Sequence, residues 1–78
     1  MKINRNEIKL DKLKFTINEL NKLKIKYDLK NIKTGQINIK TKNNLIVYYS
    51  NTDKILINNH SIEKRGLLPL IKVINSLK

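Results

Sequence analysis

The sequence predicts an α+β fold: a helix, a three- to four-stranded antiparallel meander sheet and a C-terminal helix, with both helices on one face of the sheet. Three observations carry this expectation. From Lys24 to Ile57 apolar and polar residues alternate with a period of two, in segments separated by turn-forming Gly, Asn, Ser and Asp. Ahead of that stretch, Thr16-Ile17-Asn18-Glu19 has the form of a capping box, in which the threonine hydroxyl and the glutamate carboxylate each take up a free helical amide. Behind it, Leu70, Ile71, Val73, Ile74 and Leu77 form a broad apolar stripe at helical spacing.

Residues 1–14 alternate weakly through Ile8, Leu10 and Leu13, as a bulged strand or as the first turns of a helix would. They are set down as an N-terminal arm, strand-like or less ordered, within one domain spanning 1–78. The capping box starts a helix at Ile17 that buries Ile17, Leu20 and the stem of Lys24 and turns Lys22 outward. The first strand follows from Lys24, with Ile25, Tyr27 and Leu29 on one face and Lys24, Lys26, Asp28 and Lys30 on the other. Thr34-Gly35 makes a turn into Ile37 and Ile39, and Lys42-Asn43-Asn44 turns again. Leu45-Ile46-Val47-Tyr48-Tyr49 is apolar on both faces and reads as an interior strand, with Leu45, Val47 and Tyr49 inward. After the turn Ser50 to Asp53, Lys54 to Ile57 makes a fourth strand with Ile55 and Ile57 inward. Asn58 to Ser61 reads as a loop, and Ser61 as the cap of a short turn reaching Arg65. The last helix starts near Pro69, whose missing amide costs nothing in a first turn, and turns Lys72 and Lys78 outward.

Composition narrows the function classes. A chain of 78 residues supports one modest core and no elaborate catalytic architecture. It has no cysteine and one histidine, His60, so neither a thiolate metal site nor a histidine cluster can be assembled, and no metal or cofactor is expected. His60 has no second histidine or well-spaced carboxylate to orient it as a base, no phosphate-loop or nucleophile motif is present, and an enzyme is not expected. The longest apolar runs fall far short of the roughly 20 residues that span a bilayer, so no membrane partner is expected and the protein is placed in the cytoplasm.

Seventeen Lys and Arg against six Asp and Glu give a net charge of +11, which draws in anionic partners. Apart from Arg5 and Arg65 the cations are lysines, point charges suited to a phosphate backbone rather than to reading bases. Lys, Asn and Ile make up 40 of the 78 residues and Ala is absent. All three are specified by A- and U-rich codons, so part of the lysine count reflects base composition rather than binding. The arrangement of the lysines is more informative. The expected outer sheet face carries Lys24, Lys26, Lys30, Lys40 and Lys54 around an exposed Tyr48, a pattern that contacts phosphates and stacks a flat group. Lys64 and Arg65 precede the last helix, where free amides also favour an anion.

Two resemblances attach to these residues. The run Val47 to Ile57, with its aromatic pair Tyr48-Tyr49, followed by Ile62-Glu63-Lys64-Arg65-Gly66-Leu67 and Leu70-Ile71-Lys72, resembles a class of short phage and mobile-element proteins over residues 25–74. In that class the turn is of the type Pro-Thr-Thr-Gly-Lys, from which Ser50 and Asp53 depart. The resemblance implies a viral setting and an inhibitor of host defence, of the anti-CRISPR type. The order helix, strands, helix is also similar to that of HicA-type messenger-RNA interferase toxins, with their double-stranded-RNA-binding-like fold. Their catalytic histidine has no counterpart here: Gly35-Gln36-Ile37 lies at the comparable place, and His60 does not. That likeness implies fold and RNA affinity without the nuclease.

The expected function is therefore a small basic binding protein. It engages nucleic acid, RNA ahead of DNA, or an acidic or nucleic-acid-binding host protein such as a CRISPR effector. The alternatives are a HicA-like RNA-binding protein or diverged ribonuclease, and a protein-binding module that pairs as a homodimer through a strand edge or an Ile46, Tyr48, Leu56 patch.

Overall fold

A computed structural model describes the backbone of residues 5–77 and the side chains of residues 11–77; the first four residues of the expected arm and Lys78 lie outside the described residues. Helix α1 (Arg5–Lys22) leads into strands β1 (Asp28–Asn31), β2 (Gln36–Lys40), β3 (Leu45–Tyr49), β4 (Lys54–Ile57) and β5 (His60–Ser61), and helix α2 (Leu67–Leu77) closes the chain. The sheet runs β1-β2-β3-β4-β5, antiparallel throughout, one strand more than the sequence predicts. Leu13 and Leu20 of α1 and Leu70 and Ile74 of α2 share a core with Ile37, Ile39, Ile46, Tyr48 and Ile55, so both helices lie on one face.

The capping box does not form. Thr16 is buried in the middle of α1, and its hydroxyl donates to the Lys12 carbonyl one turn back at 2.8 Å. The Leu13, Thr16, Leu20 face carries the helix past that point, and a threonine inside a helix satisfies its hydroxyl on the preceding turn. At the other end the Ile25 amide reaches the Leu20 carbonyl at 2.9 Å and the Lys24 amide reaches that of Asn21 at 3.1 Å, a Schellman closure with Lys24 left-handed at φ 57°. Lys24 is thus a helix cap rather than a strand residue, and β1 begins at Asp28.

Three turns follow the expected residues. Asn31 Oδ1 accepts the Lys33 and Thr34 amides at 2.9 and 3.3 Å, and Gly35 exits at φ 70°. A side chain at Gly35 would collide with Ser50 Oγ, which is wholly buried and has no hydrogen-bond partner among the described residues. The Thr41 amide bonds the Asn44 carbonyl at 2.9 Å, and the Thr52 amide bonds that of Tyr49 at 3.2 Å. The expected loop at Asn58 to Ser61 is instead a hairpin. Asn58 and Asn59, at φ 50° and 70°, make a two-residue turn of the kind that matches strand twist, and Ser61 pairs with Leu56 rather than capping a turn.

The main correction is the facing of β3. Lys40 pairs with Leu45, Ile39 with Ile46 and Ile37 with Tyr48, so every β2–β3 pair joins an odd-numbered residue to an even-numbered one. Paired residues share a face. With Ile37 and Ile39 inward, Ile46 and Tyr48 must be inward too, and Leu45, Val47 and Tyr49 fall on the open face. Tyr48 is accordingly 1% exposed. Its hydroxyl donates to Asp53 Oδ1 at 2.9 Å, and Lys12 Nζ donates to Asp53 Oδ2 at 3.0 Å, which ties β3, the β3–β4 turn and α1 together. Burial, reinforced by the Asp53 carboxylate, pushes the Tyr48 phenol well above its ordinary range.

Candidate nucleic-acid interface

The face of the sheet away from the helices is built in rows by the strand register. One row crosses Asn31, Gln36, Tyr49 and Lys54; the next crosses Asp28, Asn38, Val47 and Leu56; the third joins Lys40 to Leu45. Lys30 is the extra residue of a bulge in β1, and its ammonium lies 2.7 Å from Asp28 on the same face. The middle of the face is therefore amide and apolar, and the cations stand at its margins. Lys26, Lys30 and Lys40 line one shallow hollow of about 490 Å³ with Asn38, Leu45, Tyr27 and Asp28. The five strands carry one carboxylate, Asp28, against Lys30, Lys40 and Lys54. Both members of the Asp28–Lys30 pair are about half exposed or more, so the pair costs little to open.

Four of the eight expected site residues, Lys26, Lys30, Lys40 and Lys54, thus meet on this face. Lys24 sits beyond its edge and lines a second hollow with Lys26, Lys40 and Lys42. Lys64 and Arg65 are not part of it. Both are exposed between β5 and α2, and Arg65 borders a separate groove on the helix side with Phe15, Leu67 and Leu68. Tyr48 is removed from the surface altogether, and with it the Ile46, Tyr48, Leu56 patch, of which Leu56 alone reaches the open face.

The residue that sequence reasoning missed is Tyr49. It lies half-buried on the open face between Gln36 and Lys54. The signal that identifies it is hairpin arithmetic: Lys40 outward and a four-residue turn, Thr41 to Asn44, place Leu45 outward, and alternation then makes Tyr49 the outward aromatic. Beside it, Gln36 Nε2 donates to Asn38 Oδ1 at 3.3 Å, so the two amides stand together on the face. Leaving Gln36 Oε1 and Asn38 Nδ2 outside that bond provides one acceptor and one donor for another group.

His60 is exposed on the two-residue edge strand opposite Ile57, and among the described residues no three His, Cys, Asp or Glu side chains gather as a metal site would need. No helix among the described residues is long and apolar enough to cross a membrane. No known protein family, curated protein or solved structure matches the chain.

Proposed function

We propose that the protein is a nucleic-acid-binding module whose open sheet face holds a phosphate backbone, RNA ahead of DNA. The observation that supports this reading is the segregation of charge on that face, with Lys26, Lys30, Lys40 and Lys54 around an uncharged centre. Lysine ammoniums on flexible stems suit phosphates, and each phosphate neutralised releases a counterion. Four contacts to a single strand give a slope of log affinity against log salt of about −3.

Fluorescence anisotropy with a short labelled RNA, titrated between about 50 and 200 mM salt, measures that slope. Charge reversal of Lys26, Lys30 and Lys40 to Glu is expected to bring it to about −1 or less, and Asp28→Asn, which frees Lys30, to strengthen binding. Affinity unmoved by the triple variant overturns the assignment. The biological setting we propose, interference with a host defence machine, rests on the sequence resemblance drawn over residues 25–74 and on no matched relative. A pull-down from the host at moderate salt separates direct binding from capture of a CRISPR-type effector: an effector recovered free of nucleic acid counts against the direct reading.

A further inference from the structure

Resting on the nucleic-acid reading above, we infer that the open face takes an unpaired strand rather than a duplex, with one base laid on Tyr49 and its edge met by Gln36 and Asn38. Three features of the face point the same way.

The first is the position of the cations. In the row through Tyr49, Lys54 lies on the neighbouring strand on one side, and the Lys30 bulge lies two strands away on the other. Three strand spacings separate β1 from β4, about 14 Å. Lys40 stands four residues further along, about 13 Å away. This is the reach of a few nucleotides, with phosphates at the margins and bases toward the middle.

The second is the nature of the middle. Leu45 and Leu56 offer partly exposed apolar surface on either side of the buried Val47, and Gln36 and Asn38 offer amides. A duplex presents phosphates and sugars to whatever it touches and keeps its bases stacked inside, so it would cover this apolar surface with charged groups and gain nothing from it. An unpaired strand turns its base faces and edges toward such a surface.

The third is the aromatic ring itself. Tyr49 is the tyrosine of the β3 pair that faces outward, with Gln36 directly across the strand and Asn38 two residues further on the same face. Directly opposed side chains in a sheet lie about 5 Å apart. A base stacked on the ring thus has the free carbonyl of Gln36 and the free amide of Asn38 within reach of its edge, and all bases have a face to stack.

The test compares an unstructured, labelled RNA of about ten nucleotides with the same strand annealed to its complement, at low salt. The single strand is expected to bind about tenfold or more tightly than the duplex. Replacing Tyr49 by Leu keeps apolar bulk and removes the stacking ring, and is expected to weaken single-strand binding roughly tenfold while leaving the salt slope and the thermal midpoint unchanged. Tyr49→Phe retains the ring and is expected to bind as the native chain does, which separates stacking from any effect on folding. Duplex binding equal to or tighter than single-strand binding, or full affinity in Tyr49→Leu, overturns this inference and leaves the charge assignment standing. Binding of neither form at low salt overturns both.

Discussion

Tyr48 shows how much one side chain can carry in a domain this small. Its phenol is buried, held by Asp53, and protonated well past the range in which an exposed tyrosine ionises. In the unfolded chain the same group loses its proton near pH 10. Because the folded form keeps the proton that the unfolded form releases, the stabilisation is complete below about pH 10 and is lost above it, by about 1.4 kcal/mol per pH unit. Tyr48→Phe should therefore do two things. At neutral pH it should cost about 1.5–3 kcal/mol, the worth of a hydrogen bond to a charged acceptor, and above pH 10 it should flatten the fall in stability. Urea unfolding of both chains across that range checks it; an alkaline limb equally steep in the variant would assign the effect to other groups. The same residue marks where sequence reading stops. Nothing in Leu45 to Tyr49 says which tyrosine is buried, since the segment is apolar on both faces. A hydroxyl five residues ahead of an aspartate becomes meaningful only once the turn brings them to 2.9 Å.

At the scale of elements, α1 is closed by a defined cap. Its C-terminus is closed by two Schellman bonds around Lys24, a lysine in the left-handed conformation that glycine adopts freely. Lys24→Gly should relieve that strain and raise stability by about 1 kcal/mol, a rise of about 5 °C in thermal midpoint for a domain of this size. Lys24 lies beside Lys26 and Lys40 but outside the hollow that Lys30 lines, so RNA affinity should fall by no more than the loss of one peripheral charge. A lower midpoint would mean that the lysine stem contributes more than the backbone costs. The period-two pattern that made residues 24–27 look like strand is real, but Ile25 is apolar because it packs beside the core after the cap, and the bonds to Leu20 and Asn21 outrank the alternation. Local pattern identified α2 well, because Leu70 and Ile74 answer to helical spacing alone.

For the whole molecule the governing quantity is charge. A net +11 on 78 residues repels itself, so screening should stabilise the fold while it weakens binding to RNA. Thermal midpoints measured over the same salt range as the binding titration are expected to rise as affinity falls. A midpoint that falls with salt would show that pairs such as Lys12–Asp53 outweigh the repulsion. The α+β class, the meander order, the two helices on one face and a lysine-bearing outer sheet face were all legible in the sequence. They depend on periodicity and on turn residues, which act over a few neighbours. The strand that faces both ways and the separation of Arg65 from the other cations were decided by tertiary structure, and the aromatic on the binding face by a hairpin pairing that alternation within one strand does not reveal. Each follows from which residues pair across a hairpin and which surface the helices cover. Pairing and coverage are non-local, so a tyrosine and its neighbour, alike in sequence, become a core anchor and a surface platform.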